Sequence, residues 1–367
     1  MIYKIEIRNR EDFNDFIDVI DRRAYNVSWG YTPVGGCAQF SFTINSRYCR
    51  ETVLGTNFNV QIKRRNPITK EYDLWYQGRI ESVNEDVAPD KEIIEVSGFG
   101  YQSELRDINV DETYTSDEAS VIVKHILDNY IVPYTNVTYD NGDIEATSFT
   151  FDSYKFEDIK AIDAFKQIAE IVGNIEWGVD RNRKFYFKQR SDDVGWIEHV
   201  GKKGFSGLKI RNTSIGIVTR VKVLGEGSYE YVKEYAKSIE KYKRRDAVLE
   251  RSSITTDAVA EQFADSIHEE NRQTKRRASY LLDREELLEN TVPLGLVDIE
   301  SREPVYDEEG YDTINYADPD NFRINRVSYR IQKSGSLNIE VNAGDIIPME
   351  AEKIRQLEFK IEQVRNK

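Results

Sequence analysis

One stretch of this sequence occurs twice, about 240 residues apart, with the same strand-forming residues in the same order. Eleven residues agree, in four blocks whose spacers differ by three, seven and one residues, as loops vary between strands whose order is kept. In the first copy these residues are Leu54, Gly55, Val60, Ile62, Arg65, Arg79, Ile80, Val83, Ile94, Glu95 and Val96. In the second they are Leu294, Gly295, Val297, Ile299, Arg302, Arg323, Ile324, Val327, Ile339, Glu340 and Val341.

The duplication predicts two β domains of one design, in which residues 54–98 and 294–344 form equivalent strands. The alternative is that Val/Ile alternation recurs by chance in a β-rich chain. The difference matters for function, because a chain with two similar domains can form a quasi-sixfold ring from only three copies.

Composition narrows the class of protein. The 367 residues are enough for two or three domains, each with its own core. The net charge of −14 disfavours a general nucleic-acid-binding role, because such a role depends on neutralising phosphates. The alternating polar and apolar residues 1–7 and the lack of an ~18-residue apolar window predict a soluble protein that is made in the cytoplasm and does not insert stably into a membrane. The two cysteines, Cys37 and Cys49, are expected to be free thiols.

Apolar periodicity divides the chain into four parts. We predict a first β-barrel-like domain over residues 1–107, an α/β insert over 108–200, a second β-barrel-like domain over 201–345 and a C-terminal helix over 346–367. The predicted fold class is therefore α+β, mainly β, with two related β-barrel-like domains. Within the first domain, alternation over residues 39–44 is the clearest strand.

Helical periodicity predicts four helices before the C-terminal part. The first is a short helix near residues 11–21. In the insert, Thr115-Ser116-Asp117-Glu118 resembles a capping box and opens a helix that ends before Pro133. A second insert helix runs over about 158–173, and Gly173 is placed to end it. A fourth helix near residues 257–274 interrupts the second β domain.

The C-terminal part carries a heptad pattern. Ile347, Ile354 and Ile361 recur every seven residues, and Leu357 and Val364 lie three residues after the second and third of them. Apolar residues at these a and d positions predict a short coiled coil, with these five side chains as an oligomer interface. The alternative is an amphipathic helix packed on its own domain.

Candidate catalytic residues are scarce. The three histidines, His125, His199 and His268, have no second ligand at a metal-binding spacing, and His125 is expected in the core or at its boundary. The sequence has no nucleophile elbow, phosphate-binding loop or zinc-protease motif, and neither cysteine forms a convincing nucleophile pair. We therefore expect no catalytic, cofactor-binding or metal-binding residues, no cofactor and no enzymatic activity.

Two charged stretches stand out. The acidic residues 307–320 lack the regular carboxylate spacing of a calcium loop, which favours a solvated loop between strands. The basic clusters 241–245 and 275–277 lie on an otherwise acidic chain. They are either an exposed rim or a surface that pairs with an acidic patch of a neighbouring subunit.

Several motifs carry a resemblance to a known family over most of residues 25–347. They are Val27-Ser28-Trp29, Gly36, Phe40-Ser41-Phe42-Thr43-Ile44, Gly78-Arg79-Ile80, Val96-Ser97-Gly98, Ala161, Ile162, Ile168, Ala169, Gly173 and the run from Val218 to Gly225. In this order they resemble the hub proteins of phage tails and contractile injection systems. The resemblance implies a location at the distal tip or baseplate of the virion tail.

It also implies the partners: a homotrimer would present its paired β domains to the hexameric tail tube and distal tail ring. Its other end would hold a tape-measure protein or a spike or tip protein, and DNA would pass through without specific binding. We expect the channel to be net acidic or neutral, with residues 241–245 turned toward a protein neighbour. Related proteins also carry C-terminal hydrolase or receptor-binding domains. The alternative function is thus the N-terminal scaffold of a tail-associated peptidoglycan hydrolase or receptor-binding tail protein.

Overall fold

The computed structural model describes thirteen stretches of the chain. These are residues 3–9, 15–20, 23–45, 54–66, 69–88, 91–191, 194–199, 205–282, 296–300, 302–306, 312–316, 320–331 and 337–344. The strands of the N-terminal part are β1 (Tyr3–Arg8), β2 (Phe16–Val19), β3 (Ala24–Thr32), β4 (Gly35–Cys37), β5 (Gln39–Asn45), β6 (Asn59–Arg65), β7 (Tyr72–Ala88) and β8 (Lys91–Gly100).

The following elements mix helices with strands. They are a 3-10 helix (Tyr101–Arg106), β9 (Asn109–Glu118), α1 (Ala119–Ile126), a π-helical turn (Leu127–Ile131), a 3-10 turn (Asn141–Asp143), β10 (Thr150–Lys160), α2 (Ala161–Val172), β11 (Ile175–Val179), β12 (Phe185–Gln189) and β13 (Val194–His199).

The C-terminal part returns to strands, with two helices among them. Its elements are β14 (Phe205–Thr213), β15 (Arg220–Leu224), β16 (Glu230–Glu234), α3 (Ala236–Tyr242), β17 (Asp246–Glu250), α4 (Asp257–Asn271), β18 (Lys275–Leu282), β19 (Leu296–Glu300), β20 (Arg302–Tyr306), β21 (Asp312–Tyr316), β22 (Asp320–Ile331) and β23 (Leu337–Gly344). Among the described residues, no helix has the length and apolarity needed to cross a membrane.

Two groups of five strands have the same spatial order. We call β3-β5-β8-β7-β6 the first unit and β14-β18-β23-β22-β19 the second unit. All neighbours within each unit pair antiparallel. Of the eleven repeated positions, eight lie on the last three strands of the unit in both copies, which confirms the predicted shared strand order. The remaining residues differ: Leu54 and Gly55 precede β6, Arg65 ends β6 whereas Arg302 begins β20, and Leu294 and Gly295 lie outside the described residues.

The two units agree in register as well as in order. Val60 lies opposite Gly78 in the first unit, and the equivalent pair in the second unit is Val297 opposite Phe322. Likewise, Val83 opposite Val96 in the first unit is equivalent to Val327 opposite Val341 in the second. The register breaks coincide too. The break between Tyr25 and Ser28 of the first unit is equivalent to the break between Ser206 and Lys209 of the second. The break between Ile80 and Ser82 is equivalent to the break between Ile324 and Arg326. Chance alternation does not reproduce such irregularities, because a bulge is a specific feature of one strand pair.

The two units form one continuous sheet instead of two separate barrels. Strand β22 of the second unit pairs antiparallel with β3 of the first, so the path runs β14-β18-β23-β22-β3-β5-β8-β7-β6-β1-β2. Among the described strands this path stays open. The predicted class, α+β and mainly β, is confirmed, whereas the barrel-like form of each domain is corrected to an open five-stranded unit.

The buried apolar side chains form two clusters. One cluster joins the two units and draws its members from residues 3–96 and 278–343. The other joins the insert to residues 221–264, which the sequence assigned to the second β domain. Helix α4 packs on α2, where Ser266 Oγ donates to the Glu170 carbonyl and Gln262 Nε2 donates to the Val172 carbonyl at 3.1 Å. The residue boundaries of the four predicted parts stay a prediction.

Two helix predictions need correction. Phe16–Val19 forms a strand, because its backbone pairs with the edge of β1 and tertiary pairing outweighs the apolar spacing. The proposed capping box is also wrong: Thr115 lies in β9, and Glu118 itself caps α1 by accepting the Ser120 amide at 3.0 Å. Helices α2 and α4 are confirmed, and Gly173 ends α2 with φ of +75°.

The insert is attached to the first unit by a close backbone approach. Strand β4 pairs parallel with β11, placing Gly35 opposite Gly178 and Gly36 opposite Val179. A Cβ on Gly36 would lie 2.0 Å from the Val179 carbonyl oxygen, and Gly36 has φ of +81°. Only glycine meets both conditions without strain.

Candidate assembly interface

The junction between β22 and β3 is where the two units meet, and we call it the internal junction. Five residue pairs form it, from Val327 opposite Tyr31 to Ile331 opposite Val27. At its centre Tyr329 lies opposite Trp29, and their rings stack with centroids 5.2 Å apart. Both side chains are buried, so the apolar faces of the two units continue into one core.

The opposite face of the internal junction is polar. A groove of about 520 Å³ opens there, and its lining includes Ser28, Ser41, Arg277, Arg326, Ser328 and Arg330. The hydroxyl groups of Ser28 and Ser41 lie 2.9 Å apart, and Arg277 donates to Asn342 Oδ1 at 3.1 Å. Strand alternation thus separates an apolar face that joins the units from a polar face open to solvent.

A buried ion cluster fixes β1 to the first unit. The side chain of Glu6 is only 3% exposed. Its carboxylate lies 2.6 Å from Lys4 Nζ, 2.7 Å from Arg8 Nη2 and 2.7 Å from Lys63 Nζ on β6. Burial raises the pKa of Glu6, but the hydrogen bonds from Lys4, Lys63 and Arg8 outweigh it and lower that pKa to about 2. The group therefore stays ionised at neutral pH.

Of the two cysteines, the structure describes Cys37. Cys37 is fully buried, and burial raises the pKa of its thiol to about 12. The neighbouring Tyr31 phenol donates to the Trp75 carbonyl at 3.0 Å, and burial raises its pKa well above the ordinary value. A protonated thiol in such a site is a poor nucleophile. Cys49 lies outside the described residues.

The histidines do not converge on a site. His125 is exposed, which corrects the expectation of a core or boundary position, and its Nδ1 lies 3.0 Å from the Tyr114 hydroxyl. His268 stacks on Tyr235 with centroids 3.6 Å apart, and burial lowers its pKa. His199 ends β13. Among the described residues, no group of three or more His, Cys, Asp or Glu side chains is arranged to hold a metal ion.

The other predicted surface features have mixed outcomes. The five predicted interface residues Ile347, Ile354, Leu357, Ile361 and Val364 all lie outside the described residues, so the coiled coil stays a prediction.

Part of the acidic stretch predicted as a loop, Asp312–Tyr316, is strand β21 paired with β20. Backbone pairing with a neighbouring strand outweighs the polar composition there.

The two basic clusters differ in their surroundings. In the first, Arg244 Nε lies 2.9 Å from Asp246 Oδ1, and Arg245 Nη1 donates to the Ser214 carbonyl at 2.7 Å. Both of these arginines are exposed. The second cluster lies on β18, where Lys275 is buried, Arg276 is exposed and Arg277 is half-buried.

The sequence reasoning missed the pairing of Trp29 with Tyr329. A signal was present, because Val27-Ser28-Trp29 and Val327-Ser328-Tyr329 repeat one apolar–polar–aromatic pattern. Val27-Ser28-Trp29 was used for the family resemblance alone, and no strand partner was predicted for it. Cross-strand aromatic pairs stabilise adjacent strands, which gives the repeated pattern its physical meaning.

The fold thus defines a class: mainly β proteins with two equivalent five-stranded units joined edge to edge and backed by an α/β insert. Solved structures that are similar to this chain include tail proteins. The tail protein from Neisseria meningitidis MC58 aligns with a TM-score of 0.63 at 10% identity, covering 94% of this chain and 97% of that chain. The prophage MuSo2 43 kDa tail protein from Shewanella oneidensis aligns with a TM-score of 0.62 at 10% identity, covering 94% and 98%.

A third structure, the prophage tail protein gp18 from Listeria monocytogenes EGD-e, aligns with a TM-score of 0.59 at 11% identity and covers 98% of this chain and 99% of that chain. No family model matches the sequence, and no curated protein matches it. At these identities the likeness concerns the fold. The chain has the fold of phage tail proteins, which confirms the resemblance predicted from the sequence.

Proposed function

We propose that this protein is a structural hub at the distal end of a phage tail or a phage-tail-like particle. It is a trimeric adaptor that joins the hexameric tail tube and distal tail ring to the central tape-measure, tip or spike protein, around the DNA channel. The observation that carries the proposal is the pair of equivalent units joined edge to edge within one chain.

The physical reason is symmetry. Three copies of a chain with two equivalent units supply six similar surfaces, and six such surfaces match the repeat of a hexameric tube. The fold shared with tail proteins from three bacterial sources supports the same role. The net charge of −14 per chain favours a channel through which DNA slides without being held, because the overall field repels phosphates.

The mass of the purified protein tests the trimer. Light scattering or native mass spectrometry should give three times the chain mass of 42.7 kDa. The same particles should bind purified tail-tube or distal-tail-ring hexamers with one trimer on each hexamer. A monomer or dimer at all concentrations, together with no binding to tube hexamers, would contradict the proposal.

We further propose that the described residues act by assembly, without catalysis. The buried thiol of Cys37 and the scattered histidines support this proposal. A turbidity assay on purified peptidoglycan should show no hydrolysis above a boiled control. Reproducible hydrolysis by the purified chain would instead favour the alternative role as part of a tail-associated peptidoglycan hydrolase.

A further inference from the structure

The internal junction uses one edge from each unit. The second unit contributes β22, and the first unit contributes β3. Because the units share strand order, register and bulges, each unit also has a counterpart of the edge that the other one uses. The counterpart of β22 in the first unit is β7, and the counterpart of β3 in the second unit is β14.

These two counterpart edges have no strand beside them in the described sheet. Strand β14 pairs with β18 alone, and beyond Ile80 strand β7 pairs with β8 alone. Along the sheet path they are seven strand spacings apart, roughly 34 Å at ~4.8 Å per spacing. The described strands of one chain do not pair these two edges with each other, so a second copy can supply the partner of each.

The shared register specifies how such edges would pair. When the two units are aligned on their register breaks, residues 27–31 of β3 correspond to residues 208–212 of β14. In the same alignment, residues 327–331 of β22 correspond to residues 83–87 of β7. Transferring the internal junction gives five pairs: Val83 with Asn212, Asn84 with Arg211, Glu85 with Ile210, Asp86 with Lys209 and Val87 with Leu208.

The side chains on the two edges are complementary in charge. The β7 edge carries Glu85 and Asp86, and the β14 edge carries Lys209 and Arg211, all of them exposed. The transferred register sets Asp86 directly opposite Lys209, with Arg211 diagonal to Asp86 on the same face. Opposite charges at directly facing positions stabilise a strand pair, and complementary edges also select their own partner.

The exposure of Ile210 also indicates that another strand covers the β14 edge in the assembly. Ile210 is 40% exposed, yet its counterpart at the internal junction, Trp29, is 2% exposed because β22 covers it. Exposed edge strands are usually blunted by charge or covered by another element. Here the charges on the two edges have opposite sign, which fits covering by a second copy.

We propose that β7 of one copy pairs antiparallel with β14 of the next copy in this register, so that the contact between copies repeats the internal junction. The partner is a second copy of this chain, and the contact is head-to-tail, the type that closes into rings. This inference rests on the proposed ring-forming function. It adds the strands, the register and the residues of the contact.

Cysteine cross-linking tests the register. In a Cys49→Ser background, Asp86→Cys with Lys209→Cys places two thiols on directly facing positions, ~5 Å apart between Cβ atoms. A short bifunctional thiol reagent should then link copies into a covalent series that ends at three. The matched control, Glu85→Cys with Lys209→Cys, puts the thiols on opposite faces of the paired strands and should link poorly.

Charge reversal supplies an independent readout. Asp86→Lys alone or Lys209→Asp alone sets like charges opposite each other at every contact of the ring, and each should weaken assembly about tenfold. The double variant restores opposite charges and should recover assembly to within about threefold of the unmodified protein. A merely structural role for either residue would not give this rescue, and circular dichroism of the single variants checks that the fold is kept.

The outcomes separate this inference from the proposed function. A stable trimer that shows neither the Asp86–Lys209 link nor the charge rescue overturns the proposed contact and leaves the hub function standing. Links that stop at two copies, or continue beyond three, establish the contact and count against the three-copy ring. A protein that neither assembles nor links at millimolar concentration overturns the contact as well.

Discussion

Replacing Glu6 by Gln should lower the free energy of unfolding by about 3 kcal/mol at pH 7. The carboxylate is 3% exposed and pairs with three cations, so the substitution leaves these cations without their charged acceptor. The pKa of Glu6 falls from 4.5 to about 2 in the folded protein. At ~1.36 kcal/mol per pKa unit, that lowering corresponds to about 3 kcal/mol.

The contribution should depend on pH in one direction. Because the pKa of Glu6 is lowered on folding, its stabilisation is fully present above about pH 5 and is lost as pH falls toward 2. Urea titrations monitored by tryptophan fluorescence at pH 7 and pH 3 measure it. The difference between the unmodified protein and Glu6→Gln should shrink to less than half at pH 3.

The control is Glu95→Gln, at an exposed position on β8, which should change stability by no more than ~0.5 kcal/mol at either pH. A Glu6→Gln effect below about 1 kcal/mol at pH 7 would refute the reasoning. So would an effect of equal size at pH 7 and pH 3, because it would show a loss of packing and not of ionic stabilisation.

Three further predictions concern other parts of the chain. Trp29→Ala should cost about 3–5 kcal/mol in urea unfolding, because the buried indole stacked on Tyr329 leaves a cavity, and Trp29→Phe should cost clearly less. Gly36→Ala should expose the insert to limited proteolysis, because its Cβ would meet the Val179 carbonyl, and equal protection of both proteins would contradict this. Ending the chain after Gly344 should weaken the trimer while the sheet stays folded, and an unchanged dissociation constant would show that the C-terminal helix packs elsewhere.

The sequence by itself determined the elements whose signal is local. Alternation over residues 39–44 predicts β5, and the buried Phe40, Phe42 and Ile44 follow from it, because period-two side chains share one face. The stop of α2 at Gly173 is equally local, since a positive φ favours glycine. The duplicated blocks determined more, because one repeated pattern predicts a shared strand order.

Only the tertiary structure decided which edges meet. The pairing of β22 with β3 joins residues about 300 positions apart, and no periodicity within either strand specifies its neighbour. The same limit explains the wrong helix near Phe16, where pairing with β1 outweighs the apolar spacing, and the packing of residues 221–264 with the insert. Strand neighbours are chosen by backbone hydrogen bonds and by faces that must be buried together, and both depend on parts of the chain far apart in sequence.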